Sequence, residues 1–174
     1  MAIGRRDALI LGSVGVGAAG AGALFGVLAL QSQSGAADLL AARFNDLDGA
    51  PRRLLEWQGK GLLCNFWATW CAPCREEVPL LVAAKRDIPS FSVEIVGIGI
   101  DSADKIREFA RNYKINYPLF VADATAVNLI RRLGNRGGGL PYTVALDRSG
   151  AVIERHLGAL KEADLRQLLA KLRG

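Results

Sequence analysis

At 174 residues the chain has the length of one ordinary domain, and its 51% hydrophobic and 22% charged content excludes a charge-rich disordered chain or a collagen-like repeat. Three cysteines are too few for a disulfide-stapled miniprotein. A formal net charge of +5 over this length, with no nucleic-acid motif, argues for no nucleic-acid partner.

Eight of the 20 glycines fall in the first 36 residues, where Arg5, Arg6 and Asp7 are the only charges. That stretch holds two of the 22 basic and one of the 17 acidic residues, so residues 37–174 carry a net +4. Residues 8–30 are uncharged, and as a helix they would reach roughly 34 Å, enough for a bilayer core of about 30 Å. Arg5 and Arg6 in front favour a cytoplasmic amino terminus with everything after Leu30 outside. The sequence therefore predicts a signal anchor or signal peptide with its linker over 1–36, and one globular domain over 37–174. A retained membrane anchor over 8–30 is favoured; the alternative is export followed by cleavage near Ala36 or Ala37. The run Gly4 to Ile10 resembles a degenerate twin-arginine signal with Ala8 at the usual aromatic position.

Gln31 to Ala37 reads as a small polar linker. Phe44 to Pro51 predicts a strand, an Asp-Gly turn and a return strand. Leu62 to Trp67 and Val93 to Ile100 are apolar runs suited to buried central strands. Between them, Cys74 to Lys85 predicts a helix that Pro79 kinks. Ser102 to Tyr113 predicts a helix with Ser102 as cap. Further along, Leu119 to Val121 predicts a strand, Thr125 to Leu133 a helix, and Tyr142 to Leu146 a strand. Ala151 to His156 is the hairpin partner of that strand, and Lys161 to Leu172 is a closing helix with leucines at helical spacing. The pattern is α/β with a mixed sheet flanked by helices.

Cys71 and Cys74, two residues apart where a strand gives way to a helix, can form and break a disulfide within one turn. The positive end of the helix stabilises a thiolate on Cys71, and Arg75 adds to that field. Such a thiolate attacks a partner's disulfide, and the more shielded Cys74 resolves the mixed disulfide. Ala72 and Pro73 restrict the turn that must accommodate both redox states. A zinc site would need two more ligands, and only Cys64 and His156 remain, so no metal is expected.

The segment Asn65-Phe-Trp-Ala-Thr-Trp-Cys-Ala-Pro-Cys-Arg-Glu-Glu-Val-Pro79 closely resembles the active-site segment of the TlpA/ResA/CcmG (DsbE) branch of the thioredoxin-like superfamily. The resemblance extends to Gly139-Leu-Pro-Tyr-Thr143, to Asp147-Arg-Ser-Gly150 and to Gly158, and covers roughly residues 38–174. It implies a thioredoxin-like fold in which Pro141 is cis and faces the cysteines, leaving the backbone of Leu140 to pair with a substrate segment. Trp70 resembles the exposed active-site tryptophan of the family. Where ordinary thioredoxin has a buried aspartate, this chain has Asn65, which cannot accept a proton. Glu77, three residues beyond Cys74 on the same helix face, matches a glutamate of this branch and is the candidate proton carrier. Trp67 and Cys64 are expected in the core, Glu76 in solvent, and His156 on the surface. Arg131, Arg132 and Arg136 precede a glycine run and read as a solvated helix end or a selector of acidic partners.

These observations predict an extracytoplasmic thiol:disulfide oxidoreductase with Cys71 as nucleophile, Cys74 as resolving thiol and no cofactor beyond that pair. The resemblance implies electrons from a transmembrane donor of the DsbD/CcdA kind. It also implies clients such as apocytochrome c or cysteine-containing copper proteins. Alternatives are a membrane-anchored binding or chaperone module in cytochrome or metal-centre assembly, and a thiol peroxidase, for which Thr69 has the wrong spacing to Cys71.

Overall fold

The computed structural model describes residues 35–89 and 91–173. The uncharged segment 8–30, with the anchor and signal expected there, lies outside the described residues. Among the described residues no helix is long and apolar enough to cross a membrane.

The two longest apolar runs form the centre. Strand β3 (Gly61–Trp67) is buried at every position and pairs in parallel with β4 (Val93–Ile100). Continuous apolar sequence is what a strand covered on both faces requires. Around them the sheet has the order β2-β1-β5-β4-β3-β6-β7. Strand β5 (Leu119–Ala122) is parallel to β4, while β6 (Tyr142–Leu146) runs antiparallel to β3. Strand β7 (Val152–Leu157) closes one edge, and β1 (Arg43–Asp46) with β2 (Pro51–Arg53) closes the other.

Helix α2 (Ala72–Asp87) links β3 to β4, and α3 (Ala103–Tyr113) links β4 to β5. Both crossovers step in the same direction, and right-handed connections put both helices on one face. Helix α5 (Glu162–Arg173) joins them there, burying Leu165, Leu168, Leu169 and Leu172 against Leu63, Val78 and Ile95. The other face is covered by α4 (Ala126–Arg132) and by α1, helical over residues 35–41. The strands fall within two residues of their sequence-based bounds, and β4 and β6 match them.

Three local expectations change. Residues 35–37 are not linker: they begin α1, in which Ala36 and Leu39 are buried in the core. The small residue allows this, since a Cβ on Gly35 would lie 2.7 Å from the carbonyl oxygen of Arg132 at the end of α4. Helix α2 starts at Ala72, two residues earlier than expected, and runs on through Pro79. Ser102 occupies the N-cap position of α3, but its side chain makes no capping hydrogen bond. Its amide is held instead by Asp101 Oδ1 at 2.8 Å.

Candidate active site

The carboxyl ends of β3 and β4 and the start of β6 meet at one end of the sheet, where an α/β sheet commonly places its chemistry. Strand β3 ends at Trp67, and the chain turns through Ala68 to Trp70 before entering α2. In this turn the Cys71 amide donates to the Ala68 carbonyl at 3.2 Å. Thr69 donates its hydroxyl to Asp101, which Lys105 also engages at 3.3 Å, so the turn is tied to the end of β4. The hydrogen bond of Thr69 and the ion pair of Lys105 offset burial at Asp101 and hold its carboxyl below the ordinary range.

Cys71 is the N-cap residue of α2, with Ala72 and Pro73 opening the helix. Proline fits here because the first-turn amides have no intrahelical acceptor to lose. The first turn carries no acidic residue, so no carboxylate competes with a Cys71 thiolate for the positive helix end. Cys71 and Cys74 form a disulfide with Cα atoms 5.3 Å apart. Cys74 is fully buried and Cys71 is 6% exposed. Trp70, beside them, is 68% exposed, while Ala72 and Pro73 also face solvent. The Leu140–Pro141 peptide bond is cis, and because Phe66 pairs with Tyr142, Pro141 lies at the same end of the sheet as the cysteines. Leu140 is half-buried and packs against both core clusters. The Gly158 amide donates to the Pro141 carbonyl at 2.9 Å, tying the end of β7 to this loop.

Behind the disulfide lies a buried polar network. Glu77 projects from the second turn of α2 and is only 2% exposed. Its Oε1 accepts from Asn65 Nδ2 at 2.7 Å and its Oε2 from the Leu160 amide at 2.8 Å. Asn65 Nδ2 also donates to Thr143 Oγ1 at 3.0 Å. Burial pushes the Glu77 carboxyl above its usual range, opposed by the bonds from Leu160 and Asn65 and by the charge of His156. A buried carboxyl with a raised proton affinity, one turn from Cys74, holds its proton to higher pH than an exposed carboxyl does.

Structure and expectation agree on Trp67 and Cys64, which are fully buried, and on Glu76, which is exposed. Burial pushes the Cys64 thiol up to about 12. His156 departs from its expected surface position. It is half-buried, because its register partner Thr143 turns it toward the α2 and α5 face. Arg132 is paired with Asp38 of α1 at 2.7 Å, an exposed ion pair that links the end of α4 to α1. Sequence reasoning missed Thr143 and Leu160. Thr143 ends the Gly139–Thr143 motif but carries no sign of its hydrogen-bond partner, and the backbone amide of Leu160 carries no signal at all.

A dithiol pair capping a helix after a central strand, with a cis-proline loop at the same end of a thioredoxin-like sheet, defines a thiol:disulfide oxidoreductase. The chain belongs to the AhpC/TSA family, whose model matches residues 36–167. It is 30% identical over 129 residues to the thiol-disulfide oxidoreductase ResA of Bacillus thuringiensis (strain Al Hakam), covering 73% of this chain and 72% of that protein. The thioredoxin-like protein YneN of Bacillus subtilis (strain 168) is 30% identical over 127 residues, covering 71% of each chain. Among solved structures, a thioredoxin-family thiol:disulfide interchange protein of Chlorobium tepidum TLS superposes with a TM-score of 0.65 at 29% identity. That likeness covers 76% of this chain and 93% of the other.

Proposed function

We propose that this thiol:disulfide oxidoreductase reduces specific client disulfides outside the cytoplasm, with Cys71 as the attacking thiol and Cys74 as the resolving one. The observation that carries the assignment of roles is the position of Cys71. It caps α2 at the rim of the site, whereas Cys74 is wholly buried one turn inside.

In the reductive half-reaction the Cys71 thiolate attacks one client sulfur. A Cys71–client bond forms, the client disulfide breaks, and the client's other sulfur leaves as a thiolate. Cys74 then loses its proton and attacks Cys71 Sγ, forming the Cys71–Cys74 disulfide and freeing the second client thiol. Two electrons pass to the client, and a donor dithiol of the DsbD/CcdA kind restores the pair by the reverse exchange. Glu77 takes the Cys74 proton, a task its burial and raised proton affinity suit. Trp70, Ala72, Pro73 and Leu140 form the surface a client segment meets, and Pro141 fixes the loop beside it. The redox pair itself carries the electrons, and no other cofactor enters.

Extracytoplasmic placement and anchoring by residues 8–30 rest on that segment's lack of charge and on Arg5 and Arg6 before it. Clients such as apocytochrome c or copper-protein cysteines are proposed on the same basis as the sequence resemblance. A membrane-anchored binding module would use the same thiols only to grip.

Reduction of a peptide disulfide separates the two readings. The oxidoreductase turns it over, and Cys74→Ser accumulates a Cys71 mixed disulfide with the client. A wild type that binds client tightly without turnover, and a Cys74→Ser variant that traps nothing, would reject the assignment. The redox state of the pair in cells, dithiol or disulfide, decides whether the protein works as reductant.

A further inference from the structure

His156 is the single histidine of the chain, and histidine is the side chain that ordinarily changes charge between about pH 5 and 8. The exchange chemistry at the cysteines gives it no task, yet its place in the sheet is specific. Thr143 is the register partner of both Asn65 on β3 and His156 on β7, so the three side chains form one row on the face that carries α2 and α5. Side chains directly opposed on neighbouring strands have Cβ atoms about 4.5–5.5 Å apart. The first two members of the row are joined to Glu77: Asn65 Nδ2 donates to Glu77 Oε1 at 2.7 Å and to Thr143 Oγ1 at 3.0 Å. With its other oxygen Glu77 accepts from the amide of Leu160, four residues beyond His156. The carboxyl is thus held between two neighbours of His156, Thr143 across the strands and Leu160 along the chain.

His156 also lines a cleft of about 210 Å³ between β7 and α5, together with Glu154, Asp164, Gln167 and Lys171. Gln167 and Lys171 are exposed, so the cleft opens to solvent, whereas Glu77 is only 2% exposed. Protons from bulk water therefore reach the half-buried imidazole more directly than the carboxyl behind it.

We propose that His156 is the pH-sensitive partner of Glu77: protonated through the cleft, its imidazolium keeps Glu77 an ionised carboxylate, ready to take the Cys74 proton at a lower pH than burial alone allows. This rests on the reading of Glu77 as proton carrier, and it makes His156 a positioning residue, since it acts through Glu77. The sign is fixed by electrostatics: a cation favours the charged form of a neighbouring carboxyl, and its loss favours the neutral form. The charge of His156 opposes the effect of burial at Glu77.

The other titratable groups facing Glu77 are Cys74, one turn away on α2, and Tyr117 before β5, whose phenol is kept neutral by burial and by Glu77 itself. Around His156 stand Glu154, paired with Lys171 at 2.7 Å, and Asp164, which accepts from the Lys161 amide at 3.0 Å. Arg155, next to it on β7, donates to the Leu133 carbonyl at 2.7 Å. With Lys171 engaged by Glu154 and Arg155 by Leu133, the imidazolium is, among the described residues, the cation that acts on Glu77.

The test compares wild type with His156→Gln, which is neutral at every pH, and His156→Lys, which stays cationic throughout the working range. Each is also made in the Glu77→Gln background. The reading is the pH dependence of the step in which Cys74 resolves a Cys71–peptide mixed disulfide. In parallel, carbon NMR follows the Glu77 carboxyl directly in the disulfide form of wild type and His156→Gln. The expected result is an upward shift of both midpoints in His156→Gln by about 0.5 unit, roughly a threefold change in proton affinity. His156→Lys keeps its midpoint at or below that of wild type, and neither substitution moves the profile once Glu77 is glutamine. A His156→Gln profile and carboxyl titration that superpose on wild type, an upward shift in His156→Lys equal to that in His156→Gln, or a shift that persists without Glu77 overturns the proposal. Failure of Glu77 as carrier reads differently: Glu77→Gln alone then keeps the wild-type profile of the resolving step, and the role of His156 falls with it.

Discussion

Strand β3 presents two neighbouring residues, Cys64 and Asn65, to opposite faces of the sheet, and the two faces have different chemistry. Cys64 sits among Leu39, Phe66, Val96 and Ile130 in an apolar cluster, and desolvation alone pushes its thiol up to about 12. On the other face Asn65 meets Glu77 and Thr143, all buried, all within one hydrogen-bonded network behind Cys74. Cys64 and Cys74 are both fully buried, yet only Cys74 stands in the first turn of a helix with a disulfide partner at its N-cap. Burial therefore does not sort the three thiols. Helix-end geometry and a nearby buried carboxyl do.

The sharpest break between the faces is expected at Cys71. Replacing it with serine removes the attacking sulfur and lowers client-disulfide turnover by roughly 10³-fold or more, to background, without unfolding the protein. Residual turnover above background, measured with a peptide disulfide and a fixed excess of reductant, would move the reactive thiol elsewhere. Next in size is a stability effect on the opposite face. Leu39 of α1 is fully buried, and Leu39→Ala should cost about 2–5 kcal/mol by urea unfolding. A loss below about 0.5 kcal/mol would mean that α1 adds nothing to that core.

How much of this was legible beforehand differs between the same two faces. Strands β3 and β4 declared themselves because a run such as Val93 to Ile100 has a single polar side chain, Glu94, too few to mark an exposed face. The cysteine pair was legible because its spacing and its position before a helix are both local. Helix α1 was not: Gly35 and Ala36 look like linker residues until α4 supplies a surface on which only small residues fit. Thr143 and the Leu160 amide were hidden for a related reason. Thr143 meets Asn65 from 78 residues away in the chain and Leu160 meets Glu77 from 83, and the latter is a backbone group. His156 shows the same limit, since its orientation follows from pairing with Thr143 rather than from its own neighbours.

Glu77 offers a pH test of the polar face. Its carboxyl has a raised proton affinity in the folded protein, chiefly through burial, against an ordinary value of 4.5. Below that value both folded and unfolded chains hold the proton, and the full stability is present. As pH rises past it, the unfolded chain releases its proton first, so stability falls until the folded carboxyl also ionises. Glu77→Gln cannot ionise, so its urea midpoint should gain on that of wild type as pH rises above 4.5, until the folded carboxyl also ionises. A difference between the two that is constant across this range would show that Glu77 does not titrate in the fold.

The smallest effect is expected at Cys64, and its smallness is what makes it informative. Cys64→Ala removes one buried sulfur from an apolar core and should cost about 1–2 kcal/mol, with turnover per folded molecule unchanged. Because burial pushes this thiol up to about 12, almost none of it is thiolate at neutral pH, and no helix end or cation offsets that. In the native protein, after reduction, iodoacetamide followed by mass spectrometry should label Cys71 readily and leave Cys64 unmodified until denaturant is added. Native labelling of Cys64, or a loss of turnover in Cys64→Ala beyond its loss of folded protein, would join the two faces of β3 into one redox unit.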